Sequence, residues 1–214
     1  MSERREDDRT AKLHISSLPR VEFAELVYRP VARGLGITAF GINAYTGDAP
    51  GDEVIEPHDE TGEGSGKHEE LYVVMSGRAE FELDGELHDA PAGTLVFARP
   101  EQRRGAKALE PDTTILVIGG KPGAAGPPSP FEYWYTAMPA YNAGDYERAY
   151  AIAAEGLEHH RDNGRLHYQL ACFAALGGRR DEALRHARRA FELSPETRAW
   201  ADEDSDLDAV RSGL

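Results

Sequence analysis

Two imidazole–carboxylate pairs stand at a spacing of two residues, His58 with Glu60 and His68 with Glu70. On an extended strand, residues two apart point to one face, so each pair would present a ring nitrogen beside a carboxylate. A set of this kind suits a divalent iron, manganese, nickel or zinc ion. Tyr72 and Val74 share the face of Glu70 by the same alternation and read as lining residues. His68 with Tyr72 would offer a metal-free route for proton transfer if both reach a substrate. There is no serine–histidine–aspartate order, Walker-type loop, glycine-rich dinucleotide fingerprint or Cys-x-x-Cys pair.

Other reactive side chains read as structural. Cys172 is the single cysteine, so no intramolecular disulfide forms, and its apolar run Leu170 to Ala175 marks a small buried thiol. His88 sits in a hairpin arm and is expected to be exposed. His159, His160 and His167 fall in helical sequence, where solvation or packing is expected. Arg179, Arg180, Arg185, Arg188 and Arg189 spread around a helix as a solvated face.

The elements that must carry these residues change character near residue 125. Residues 1–20 form a charged arm expected to be flexible. From 21 to 121, short apolar runs alternate with Gly, Pro and Asp. Segments 36–44, 53–58, 71–75 and 113–118 read as strands, with no helix between them. Asp84-Gly85 lies between two alternating arms and predicts a two-residue hairpin turn. The pattern indicates an antiparallel sandwich or barrel. Residues 122–131 hold four prolines and read as a linker. The chain then turns helical from 132 to 214.

The helical part repeats itself. Gly144-Asp145-Tyr146-Glu147-Arg148-Ala149 aligns with Gly178-Arg179-Arg180-Asp181-Glu182-Ala183, and 178 − 144 gives a period of 34. With Ala171, Ala190 and Pro195 at matching places, the segment resembles a tetratricopeptide repeat of helical hairpins. His167 to Pro195 forms one unit and Phe131 to about Asn163 a weaker one. Residues from Thr197, with Trp200, Leu207 and Val210, read as a capping helix.

The strand-rich part resembles the cupin superfamily. Glu70 to Gly77 is similar to the second half of that family's first motif, glutamate, six residues, glycine. Pro91-Ala92-Gly93-Thr94-Leu95-Val96-Phe97 running to Pro100 resembles the second motif. The resemblance implies a β-barrel of the double-stranded β-helix or jelly-roll type. It also implies a metal site, which this chain alters. Cupins place a His-x-His pair just before the glutamate; here Gly62-Glu63-Gly64-Ser65-Gly66 stands there, and the family's last histidine aligns with Arg104. Either His58, Glu60, His68 and Glu70 hold a divalent metal, or there is none and Arg104 supplies a fixed positive charge. The metal-free reading is favoured. Arg104 would then pair with Glu70 or grip an anionic ligand.

These readings converge on a small-molecule-binding or sensing cupin. His58, His68, Glu70, Tyr72 and Arg104 would line its mouth around a small polar or anionic ligand. The alternatives are a metal-dependent oxidoreductase or isomerase of a small metabolite, and a structural adaptor. The helical tail would contact a protein partner or its own subunit, and a homodimer is expected. The formal charge of −14, from 24 basic and 38 acidic residues, argues against nucleic acid and membrane surfaces as partners. Nowhere do about 18 apolar residues run together, and the expected compartment is the cytoplasm.

Overall fold

The computed structural model describes residues 12–23, 26–63 and 65–214. Most of the charged arm, residues 1–11, lies outside the described residues. The chain divides into two compact units, Met1–Ala125 and Gly126–Leu214.

Among the described residues, ten strands build the first unit: β1 (Val21–Phe23), β2 (Leu26–Arg29), β3 (Gly41–Gly47), β4 (Glu53–His58), β5 (Glu69–Ser76), β6 (Arg78–Leu83), β7 (Glu86–Pro91), β8 (Leu95–Ala98), β9 (Arg104–Ala108) and β10 (Thr113–Gly120). The pairings nest, all antiparallel. β6 pairs with β7, β5 with β8, β4 with β9 and β3 with β10. The centre of this nest is the Asp84–Gly85 turn. Both residues have positive φ, 51° and 88°, the conformation a two-residue hairpin needs and the reason Asp-Gly suits it. A hairpin folded on itself in this way is the winding of a jelly roll.

Successive pairs alternate between two sheets, ordered β1-β2-β3-β10-β5-β8 and β4-β9-β6-β7. Residues from both sheets, among them Val54, Tyr72, Val74, Phe81, Ala98, Ala106 and Ile115, meet in one buried cluster. The expected barrel is therefore corrected to a two-sheet sandwich. Among the described residues no ladder joins the sheets, because packing of inward side chains holds them where hydrogen bonds would close a barrel.

Two local expectations also change. Segment 36–44 is not one strand: α1 (Val31–Leu35) precedes it and ends at Gly36, whose φ of 71° terminates the helix. Residues 13–20 are not a free arm throughout, since Leu18 is buried and Leu13 and Ile15 pack with Val31 and Ala44.

The second unit contains α2 (Pro130–Asn142), α3 (Tyr146–Glu155), α4 (Gly164–Leu176), α5 (Arg180–Leu193) and α6 (Glu196–Glu203). Ser129 and Glu132 form a capping box with Pro130 in the first turn, so helix begins two residues before 132. Gly144 and Gly178 take φ of 77° and 75° and end α2 and α4, which explains their 34-residue separation. Between helices the contacts are small: Ala137, Ala149, Ala153, Ala171, Ala183, Ala187 and Ala190 are buried. The expected single capping helix stops at Glu203, and buried Leu207 and Val210 follow in tight turns. Cys172 is buried, and its burial raises the thiol pKa well above the ordinary value. The arginine face is solvated at Arg180, Arg185 and Arg188, which are exposed, and it also forms surface pairs: Arg179 meets Glu147 and Glu182, Arg185 meets Glu182, and Arg189 meets Asp162 and Glu192. No described helix is long and apolar enough to cross a membrane.

Candidate functional site

A cavity of about 520 Å³ opens in the first unit, large enough for a metabolite-sized molecule. Val21, Leu26, Val54, Ile55 and Val117 form its apolar wall; Tyr28, Tyr45, Glu56, His58, Glu60, Glu70 and Tyr72 supply polar atoms.

Glu70 is the hub. It enters from β5 on the inward face shared with Tyr72 and Val74. His58 and Arg104, opposite each other where β4 pairs with β9, approach from the other sheet. One oxygen, Oε2, accepts from Arg104 Nη2 at 2.6 Å and Nε at 3.2 Å, and from the Tyr72 hydroxyl at 2.5 Å. His58 Nε2 lies 3.5 Å from the same oxygen. Among the described residues no donor is bonded to Oε1, which lies beside Gly119; a Cβ there would stand 3.4 Å from it. Glycine at 119 thus keeps space at the hub.

The electrostatics follow from this convergence. Burial alone would raise the Glu70 carboxyl, but bonds from His58, Tyr72 and Arg104 outweigh it and hold the pKa at about 2. Tyr72 is pushed far up, first by burial and then by its bond to Glu70. Arg104 stays charged: burial disfavours the cation, and its bonds to Tyr72 and Glu70 overcome that. His58 is raised, chiefly by Glu70. Its Nδ1 lies 2.7 Å from the Glu56 carbonyl, an acceptor, so Nδ1 carries hydrogen and Nε2 is the nitrogen that titrates.

Of the residues anticipated from sequence, His58, Glu70 and Tyr72 line the cavity and Arg104 joins them from behind. Arg104 is 0% exposed and does not line the mouth. Its Nη1 donates to the carbonyls of Gln102 at 3.0 Å and Pro100 at 3.5 Å. The guanidinium is enclosed by protein acceptors, and of the two roles expected for it, pairing with Glu70 or gripping an anion, it takes the pairing. His68 also lies outside the lining; its backbone N–H donates to Glu60 at 3.4 Å, and its ring folds over Gly66. Tyr28, Tyr45 and Glu56 were not anticipated. The Tyr28 and Tyr45 rings meet at 5.5 Å, and the Tyr28 hydroxyl donates to Asn43. Only the β2–β3 pairing brings Tyr28 beside Tyr45.

His58, Glu60 and Glu70 each offer one ligand atom, all within 4.8 Å of one another. His68 is not in this group. A divalent ion held by His58, Glu60 and Glu70 would have to take Oε1 of Glu70, because Oε2 already accepts two guanidinium N–H groups and a phenol. A cation on Oε2 would face the Arg104 charge at close range and strip those bonds.

No protein-family model matches the chain, and no curated protein does. Similar solved structures are cupin-type. KdgF from Halomonas sp. is 23% identical over 48% of this chain and 84% of its own, with a TM-score of 0.39. An RmlC-like cupin from Shewanella frigidimarina is 18% identical over 49% and 85%, TM-score 0.40. A sugar phosphate isomerase of the cupin superfamily from Silicibacter pomeroyi is 16% identical over 52% and 76%, TM-score 0.43. Helices follow the strand-rich unit, and its activity has to be argued from its own residues.

Proposed function

We propose that the cupin-like unit binds a small uncharged or cationic molecule in its cavity, without a resident metal, and that His58 exchanges protons there. The observation that carries this reading is the complete burial of Arg104 against Glu70. With that charge enclosed, Glu56, Glu60 and Glu70 face the cavity. A carboxylate or phosphate would meet like charges, whereas hydroxyl or ammonium groups would find acceptors in Glu60 and in Oε1 of Glu70. The ligand class is thus revised from possibly anionic to donor-rich. Aliphatic side chains on the opposite wall favour a ligand with one apolar face.

Glu70, Tyr72 and Arg104 are each locked in one protonation state. His58 is the remaining group whose Nε2 can gain or lose a proton near neutral pH, so proton transfer to a bound ligand is the chemistry the cavity supports. A divalent-metal reading rests on the 4.8 Å grouping of His58, Glu60 and Glu70 and would use Oε1 of Glu70, with the Arg104 charge held on the other oxygen.

Thermal shift and calorimetry with matched amines, alcohols and carboxylates test both. Amines or alcohols are expected to bind, with affinity reduced at least about tenfold in Glu70→Gln, the loss of one charged hydrogen bond. Tighter binding of the carboxylates overturns the ligand class. About one Fe, Mn, Ni or Zn per chain on elemental analysis overturns the metal-free reading.

For the helical unit, the proposal is a pair of tetratricopeptide-type hairpins that contact a protein partner, the chain's own cupin-like unit or a second subunit of a homodimer. Two repeats are fewer than the three or so that stabilise such stacks. Truncation after Pro130 is therefore expected to change the melting temperature or the oligomeric state. An unchanged melting temperature and mass by light scattering would count against the contact.

A further inference from the structure

A run of hydrogen bonds crosses the helical unit. His167 Nε2 lies 2.9 Å from the Arg161 carbonyl, and His167 Nδ1 lies 2.8 Å from His186 Nδ1. His186 Nε2 lies 2.9 Å from the Tyr150 hydroxyl, which lies 2.9 Å from Glu182 Oε1. A carbonyl at one end and a carboxylate at the other can only accept. Four contacts of hydrogen-bond length therefore need four protons. Two neutral imidazoles and one phenol supply three. A fourth proton completes every link and makes one ring an imidazolium. A fifth would set two N–H groups face to face with no acceptor between them.

We infer that His167 and His186 hold one proton in common and form an acid-sensitive latch tying α5 to α3 and α4, closed by the first proton and opened by the second. The latch spans three helices, with Tyr150 on α3, His167 on α4, and His186 and Glu182 on α5.

Its surroundings oppose the second charge. His186 is 8% exposed and faces His167, Tyr150, Glu182, Arg185 and Arg179. Arg179 sits 3.9 Å over the Tyr150 ring and pairs with Glu147 and Glu182, and Arg185 also pairs with Glu182. Glu182 is thus shared between two arginines and Tyr150, leaving little to balance another cation. Burial first, then His167 and Arg185, lower the His186 pKa to about 4. A depressed histidine contributes stability that is fully present above about 6.5 and lost as pH falls toward 4. The opening constant is expected to rise about five- to tenfold between pH 7 and pH 5.

Amide hydrogen exchange on the full chain, corrected for intrinsic rates, reads this opening in α4 and α5. Wild type should open about five- to tenfold more at pH 5 than at pH 7. His186→Gln, whose side chain is neutral at both pH values, should change less than about threefold. Imidazole ¹⁵N shifts of the unmodified protein give a second measure: the two rings together should carry three N–H protons at pH 7. Equal acid opening in wild type and His186→Gln overturns the latch. So do two fully neutral rings at pH 7.

Discussion

Replacing Arg104 with methionine is expected to destabilise the strand-rich unit by about 3–5 kcal/mol, the usual cost of removing one partner from a buried pair. The size comes from what remains. Glu70 loses two N–H donors from the oxygen that also receives Tyr72, and a carboxylate is left between two sheets with too few partners. The ion pair itself adds little, since desolvation offsets most of its attraction. The double variant Arg104→Met/Glu70→Gln should therefore recover most of the loss, because glutamine removes the stranded charge. Urea unfolding followed by far-UV circular dichroism measures this. Emission from Trp134 and Trp200, the protein's two tryptophans and both in the helical unit, monitors that unit separately. A single-variant loss under about 1 kcal/mol, or a double variant no better than the single, would show that the pair is not coupled.

Acid should remove about 3 kcal/mol of stability through Glu70 alone, its pKa being lowered from 4.5 to about 2. The sign is that of a depressed carboxylate. The contribution is complete above 4.5 and disappears as pH falls toward 2, when the protonated acid can no longer accept from Arg104, Tyr72 and His58 together. Exposed carboxylates titrate in the same range, so the informative quantity is wild type minus Glu70→Gln. That difference should be large at pH 6 and close to zero at pH 2. A difference that stays constant across this range would mean that Glu70 titrates as an ordinary carboxylate in the fold. His58 acts in the opposite sense, since its raised pKa gives stability present below 6.5 and lost as pH rises through the folded value. The two groups together place the optimum of this site on the acid side of neutrality.

Local chemistry was legible wherever a residue type answers a local need. Asp84-Gly85 predicts its turn because few other pairs tolerate positive φ at both positions. Gly144 and Gly178 mark two helix ends for the same reason. Alternation placed Glu70, Tyr72 and Val74 on one inward face of β5, since a strand offers only two faces. Alternation cannot show how far a strand runs or what precedes it. The short helix Val31–Leu35 therefore passed as the approach to a strand.

What local pattern leaves open is which side chains meet across the sandwich and which meet water. His58 and His68 have the same spacing to a carboxylate, and nothing local separates them. His58 ends a strand opposite Arg104 and turns its Nε2 to Glu70, while His68 packs over Gly66. The direction of Arg104 decided the ligand class, and it depends on a sheet-to-sheet contact between residues 34 apart in sequence. The latch is the same lesson in the helical unit. His167 reads singly as a packing or solvated group, and only the stacking of three helices sets it end to end with His186, Tyr150 and Glu182. The residue sequence determines turns, helix ends and inward faces, because these depend on neighbours a few positions away. Charge balance, proton count and access to the cavity arise from distant segments brought within hydrogen-bond range, and the tertiary structure alone decides them.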